Sequence, residues 1–430
     1  MNNTCKKLLL GLSFVYLSIT SVLFGALAAV NQEGCLSMNV IYQNPNATIN
    51  YYDEDGSTKL YTTIARKGNN ALSTREPLKD SINNKFYSFD KWVTEKGGTE
   101  EADLTNIKSD MNVYASYREL TNKITFSKIS AGYLHSMALS TAGDLYTWGW
   151  NGKGQLGDNT TDNKHVPTLI TVPGVKFTDI SAGNYHSMAL STAGDLYTWG
   201  LNDAGQLGDN TKVEKHVPTL ITVPGVKFTD ISAGNDYSMA LSTAGDLYTW
   251  GDNSNGQLGD NTTNGKNVPT LITVPGVKFT DIATGYAHSM ALSTAGDLYT
   301  WGWNANGQLG DNTNVDKHVP TLITVPGVKF SDIGAGSHHS MALSIAGDLY
   351  TWGWNGNGQL GDNTTNGKKV PTLITVPGVK FTDISAGNDY SMALSTAGDL
   401  YTWGDNSNGQ LGDGSTNGRL IPVIVICYLL

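Results

Sequence analysis

The chain has 430 residues, a net charge of −10 and 39% hydrophobic residues, enough for a core and little for a membrane protein. Residues 123–430 hold 25 acids and 16 bases, and Glu214 is the only Glu among those acids. A domain with that balance and no Lys/Arg stripe argues against nucleic acid as the main partner, because binding phosphate requires basic neutralisation.

At the N-terminus, Lys6 and Lys7 precede an apolar run from Leu8 to Val30, with Ala26-Leu27-Ala28 as a small-residue cleavage site. Residues 1–30 therefore read as a secretory signal peptide. The 23-residue run is also long enough to span a bilayer as an uncleaved anchor, the only membrane association the sequence suggests. Both alternatives predict an extracytoplasmic protein, secreted or held at the cell surface. Cys5, Cys35 and Cys427 form neither a disulfide framework nor a metal spacing. Two free thiols are expected after cleavage, and a Cys35–Cys427 bridge stays open as an alternative. Residues 31–45 read as a linker.

A different pattern fills residues 46–120. Thr48–Tyr52 and Lys59–Ile64 flank Asp53-Glu54-Asp55-Gly56, a hairpin signal. Pro77 marks a break. Phe86–Trp92 and Met111–Tyr117 read as further strands, with Trp92 as a core anchor. The stretches Ile49–Gly56, Tyr87–Trp92 and Val113–Tyr117 resemble the internalin-type B repeat of bacterial surface proteins. That resemblance implies a small β-grasp-like module, used in the family as a spacer or stalk.

From Phe126 onward a unit of 51 residues recurs six times, over residues 126–176, 177–227, 228–278, 279–329, 330–380 and 381–430. Its landmarks are Tyr-Thr-Trp-Gly, first at Tyr146–Gly149, and Gly-Gln-Leu-Gly-Asp, first at Gly154. The second unit holds four strand candidates, Phe177–Ser181, His186–Ser191, Leu196–Trp199 and Val217–Val223, separated by Gly, Asn and Pro turn signals. Four short antiparallel strands per repeat of this length describe a propeller blade. Residues 123–430 are thus predicted to be an all-β propeller. Gly183 and Gly200 fit places where backbones crowd. Trp199 should face between blades, where burying ~200 Å² of indole at ~25 cal/mol/Å² contributes about 5 kcal/mol gross.

Across these residues the chain resembles the regulator of chromosome condensation repeat family. The pattern runs Ile180-Ser181-Ala182-Gly183-x-x-His186-Ser187, then Gly194-Asp195-x-Tyr197-x-Trp199-Gly200, then Gly205-Gln206-Leu207-Gly208. The resemblance implies a seven-bladed propeller. Family members include exchange factors for a small GTPase, repeat domains of signalling proteins and secreted bacterial β-lactamase inhibitors. Six units are visible here, so either a six-bladed ring or an incomplete seven-bladed one is expected.

The units differ from one another on one side only. The second-to-third-strand turn and the Thr-Val-Pro-Gly-Val-Lys-Phe connection are nearly constant, and an up-down blade puts both on one face. The other two loops vary and share the opposite face. There the sequence offers Tyr133, Tyr185, Tyr237, Tyr286 and Tyr390 after Ala-Gly or its equivalent, and Trp150, Trp303 and Trp354 after Tyr-Thr-Trp-Gly. Tyr and Trp suit recognition loops, so these eight are the candidate partner-binding residues, with the three Trp as anchors. The His at Ala-Gly-x-x-His is replaced by Tyr in the third and sixth units, which fits a structural hydrogen-bonder better than a metal ligand. Asp260–Gly265 lacks the bidentate acid of a calcium loop, where Leu271 stands instead.

No catalytic dyad, nucleophile elbow, cofactor motif or metal cluster is legible, so no enzyme is expected. The leading expectation is an exported bacterial interaction protein whose propeller binds an extracellular protein or glycan. The alternatives are a secreted inhibitor of an enzyme such as a β-lactamase and, less favoured, a guanine nucleotide exchange factor. Exchange requires an intracellular location and, in the family, an inserted loop that the uniform units lack.

Overall fold

A computed structural model describes residues 26–30, 36–40, 46–53, 56, 59–66, 86–105, 107–120 and 124–425. The chain divides into two compact units, Met1–Lys123 and Ile124–Leu430. All regular structure among the described residues is β. The three cysteines, Lys6, Lys7 and Pro77 lie outside the described residues.

In the first unit, β1 (Ala26–Val30) pairs antiparallel with β2 (Leu36–Val40), in register from Ala26↔Val40 to Val30↔Leu36. Part of the segment expected to be a linker is therefore a strand. The remaining strands are β3 (Asn46–Tyr52), β4 (Lys59–Arg66), β5 (Phe86–Val93) and β6 (Met111–Leu120), in the sheet order β4-β3-β6-β5. β3 and β6 run parallel at the centre, and the two outer strands are antiparallel to them. Ile49, Tyr51, Trp92 and Val113 form the core of this unit. Trp92 packs edge-on against Tyr51 at 4.8 Å between centroids.

The second unit is six four-stranded antiparallel meanders. Blade 1 consists of Phe126–Ala131, His135–Ser140, Leu145–Gly149 and Lys164–Ile170, and blades 2–6 repeat it at the 51-residue step. The first strands lie innermost, around a cavity of about 800 Å³ lined by Gly132, Gly183, Gly234, Gly285, Gly336 and Gly387. Crowding at this axis explains the glycines. A Cβ on Gly183 would sit 2.5 Å from His186 Cε1 and 2.6 Å from the Gly234 carbonyl oxygen. Gly200 has φ 102°, and a Cβ there would lie 2.5 Å from the Tyr185 carbonyl oxygen.

One packing scheme recurs at all five junctions between consecutive blades. Met137, Leu139, Leu145 and Ile170 of blade 1 meet Phe177, Ile180, Ala189 and Trp199 of blade 2. The same types recur at the last junction, where Met341, Leu343, Leu349 and Ile374 meet Phe381, Ile384, Ala393 and Trp403. A polar clasp adds direction. The Trp199 indole N–H and the Ser187 hydroxyl both donate to the Gln155 carbonyl oxygen at 2.8 Å. The single proton of Ser187 is thereby committed, so its oxygen accepts from His135 Nε2 at 2.9 Å. His186, His288 and His339 make the same bond to the following blade.

The two outermost faces of the array are uncovered by any blade. Ile129 is 82% exposed where its counterpart Ile180 is 7%, and Phe126 is 44% where Phe177 is 4%. At the other end Leu394 is 38% exposed where Leu343 is 1%. Blade 1 thus presents a receiving face and blade 6 a donating face.

Candidate binding face

The two rims of the propeller are built from different chemistry. On the constant rim, each second-to-third-strand turn meets the connection leading into the next blade. Phe177 N donates to the Gly143 carbonyl at 3.0 Å, and Lys176 pairs with Asp144 at 2.5 Å. Lys227–Asp195, Lys278–Asp246, Lys329–Asp297 and Lys380–Asp348 repeat this pair. It is a uniform, solvent-exposed clasp, each pair of which contributes little to stability.

The other rim varies over a fixed scaffold. In each blade the long loop after the third strand wraps around a buried asparagine. Asn151 Nδ2 donates to Asp158 Oδ1 and to the carbonyls of Thr160 and Asp162, while its Oδ1 accepts from Leu156 N. Asn253 makes the equivalent set with Asp260, Thr262 and Asn264. The faint calcium-loop stretch at Asp260–Gly265 is this internal turn, with Asp260 engaged by Asn253, Thr262 and Lys266. Loop ends held this way present their variable residues from a rigid base.

Most of the aromatic candidates meet there. Trp150 stands edge-on to Tyr185 of the next blade at 5.3 Å between centroids, and Tyr133 packs on Tyr185 at 5.8 Å. Three blades on, Trp303 stands against His338 at 5.2 Å and Tyr286 lies 5.8 Å from the same ring. Trp354 is exposed. Tyr390 is half-buried. Tyr237 does not belong to the surface: it is fully buried, its hydroxyl donates to the His288 carbonyl and lies 3.1 Å from the Ser289 hydroxyl. It fills the histidine position of the clasp, because a phenol is long enough to reach the next strand directly. Burial pushes its pKa above the ordinary phenol value.

The sequence reading missed the polar half of this rim. Asp236 and Asp252 adjoin in blade 3, where Asp252 N donates to the Asp236 carbonyl at 2.8 Å; Asp389 and Asp405 do the same in blade 6. Burial, then the charges of Asp252 and Asp203, raises the Asp236 pKa above the usual carboxylate range. Asp389 is raised by burial, an effect that His338 opposes. The signal was present in the chain as the Asn-Asp-Tyr triplets at Asn235 and Asn388, which register as drift until the loops are brought side by side.

The buried clasp histidines stay neutral. Burial lowers His135 to about 4, and burial followed by neighbouring histidines lowers His186 and His288 to about 3. On the innermost strands, burial is the main cause raising Asp230 and Asp332 to about 7 and Asp281 to about 6.

Meanders packed blade on blade around an axis, with one invariant and one variable rim, define a β-propeller of the kind that presents loops for binding. The match covers most of the chain: residues 98–428 fit the family model for the RCC1-like domain, and the chain belongs to that family. It is 35% identical over 303 residues to the ultraviolet-B receptor UVR8 of Arabidopsis thaliana, covering 69% of each. It is 32% identical over 297 residues to the E3 ubiquitin-protein ligase HERC2 of Homo sapiens, spanning 67% of this chain and only 6% of that protein. Among solved structures, Prp20p from Saccharomyces cerevisiae superposes with TM-score 0.62 at 28% identity, covering 70% of this chain and 77% of that one.

Proposed function

We propose that this chain is an exported bacterial interaction protein whose propeller binds a protein or glycan partner through its variable rim. The observation that carries the reading is the contrast between the rims: one repeats the same Lys–Asp pair at five junctions, and the other collects Trp and Tyr side chains on a fixed loop scaffold. Variable loops carried on a rigid scaffold are where binding residues concentrate. The leader-like residues 1–30 and the resemblance of residues 46–120 to internalin-type B repeats support display outside the cell. In HERC2 the matched region is only 6% of the protein, which supports reading the propeller as an interaction module.

The test has two parts. Protease treatment of intact cells, with the culture supernatant assayed in parallel, should release or reveal the propeller outside the cytoplasm; full protection inside the cell removes the export reading. The combined variant Trp150→Ala, Trp303→Ala and Trp354→Ala should then lose capture of surface proteins or arrayed glycans that the parent retains. Undiminished capture by a folded variant would mean the wrong rim was chosen. The inhibitor alternative predicts a tight one-to-one complex with a purified hydrolase such as a β-lactamase.

A further inference from the structure

The variable rim repeats at two levels. Beneath the 51-residue step lies a 153-residue step that carries blades 1–3 onto blades 4–6: Tyr133 onto Tyr286, Trp150 onto Trp303, Asp236 onto Asp389 and Asp252 onto Asp405. Tyr185 maps onto His338, yet the ring geometry survives, at 5.3 and 5.2 Å from the respective tryptophans. Each half therefore offers an aromatic notch followed by a carboxylate pair.

The conserved glutamines make the same division. In every blade the Gln Oε1 accepts from the turn two residues earlier, as Gln155 does from Lys153 N and Gln308 from Asn306 N, which fixes the direction of the amide N–H. In blades 2 and 5 that amide donates across to the next blade, Gln206 to Asp236 and Gln359 to Asp389. In blades 3 and 6 it donates within the blade, Gln257 to Asp252 and Gln410 to Asp405. In blades 1 and 4 those two positions are Trp150 with Tyr185 and Trp303 with His338, which offer no carboxylate. Gln155 and Gln308 are fully buried, and their Nε2 atoms have no hydrogen-bond partner among the described residues. A buried donor left without an acceptor opposes folding. This occurs twice, 153 residues apart, in the two blades that carry Trp150 and Trp303.

The carboxylates accept hydrogen bonds from these amides but lack a cation. Among the described residues no Lys or Arg forms an ion pair with Asp236, Asp252, Asp389 or Asp405, whereas the loop-wrapping Asp158, Asp209, Asp260, Asp311 and Asp362 each have a Lys. A partner that meets both demands brings cationic side chains and an acceptor such as a peptide carbonyl.

We propose that the variable rim holds two equivalent subsites, related by three blades, that bind a polypeptide carrying two basic segments. In each subsite a main-chain carbonyl of the partner accepts from Gln155 or Gln308 once the rings of the aromatic notch part. A Lys or Arg of the partner then lies against Asp236 with Asp252, or Asp389 with Asp405. The overall charge of −10 favours the approach of such a chain. This inference rests on the rim being the binding surface and adds the partner's chemistry and its valency.

The experiment titrates the purified full chain with a twelve-residue Arg-Gly peptide, singly and as two copies joined by Gly-Ser linkers of graded length. A Glu-Gly peptide and a panel of neutral and sulfated oligosaccharides serve as comparison probes. The expected result is two single peptides per chain, weakened by added salt, and at least ten-fold tighter binding of the tandem at the linker length that spans both halves. Asp236→Asn with Asp252→Asn should leave one site, and adding Asp389→Asn with Asp405→Asn should leave none. Asn keeps one acceptor oxygen for the neighbouring glutamine, and the melting temperature, measured alongside, separates loss of binding from loss of fold. Gln155→Leu with Gln308→Leu, which also removes the acceptor of Lys153 N and Asn306 N, should weaken the tandem at least three-fold in a variant that stays folded. A stoichiometry of one, a four-Asn variant that binds unchanged, or no binding by the Arg-Gly peptide overturns the inference. If an oligosaccharide binds instead and is lost in the triple Trp→Ala variant, the basic-partner inference falls while the rim remains the binding surface.

Discussion

The five closed junctions and the two open ends of the propeller are made of the same residues, and only their neighbours differ. Ile180 and Ile129 occupy the same position of the repeat, as do Trp199 and Trp148. One of each pair is sealed between sheets; the other has no blade on that side. Burial is therefore not a property of the repeat but of the junction, as in any array whose units contact only their neighbours. The same comparison explains the polar clasp, in which Trp199 finds the carbonyl of Gln155 in the preceding blade. Trp148 has no preceding blade to bond.

This contrast can be broken by substitution, and the largest effect is expected at a central tryptophan. Trp301 is fully buried and donates to the Gln257 carbonyl at 2.8 Å. Trp301→Ala should cost about 3–5 kcal/mol in urea unfolding, while Trp148→Ala should cost less than half of that. Equal losses would show that the end face is covered in solution. Next comes Ile180→Ala, expected at about 2–4 kcal/mol, against Ile129→Ala, expected within about 0.5 kcal/mol.

A smaller effect concerns protons. His135, His186, His288 and His339 have folded-state pKa values depressed to about 3–4 by burial, below an unfolded value near 6.5. The unfolded chain then takes up more protons, so these groups lower stability as pH falls from about 6.5 towards 4. Asp230, Asp281 and Asp332 are raised, and the stability they add below pH 4 is lost as pH rises through about 6 to 7. The two sets oppose each other across the same window. Asp230→Asn should accordingly raise the melting temperature at pH 8, with a gain that shrinks by pH 4. The equivalent Asp383 is exposed, so Asp383→Asn removes no buried group and should change the melting temperature least of all. A gain for Asp230→Asn that is the same at both pH values would rule out a raised carboxylate.

Much of this fold was legible before any coordinates. A strict 51-residue period, four turn-bounded apolar runs and a Trp on the third strand define the blade, because each signal is local to one unit. The division of loops into two rims followed from meander connectivity. The candidate site was legible in part. Trp150, Trp303, Tyr133, Tyr185 and Tyr286 do gather on one rim, but Tyr237 had to be reassigned, since a Tyr in a variable triplet gives no sign of which way it points. Gln155 and Gln308 went unseen for a related reason. Their own sequence context is the same in every unit, and what sets them apart is the residue that a different stretch of chain places against the amide.

The sequence by itself determined the class of fold, the number of repeats present and the strands of each blade, since hydrophobic alternation and turn chemistry act over a few residues. Tertiary structure alone decided which copies are buried, which histidines and aspartates are displaced from their usual pKa ranges, and which donors are left unmet. Those properties depend on distances and solvent exclusion between segments 51 residues or more apart, and no single unit contains that information.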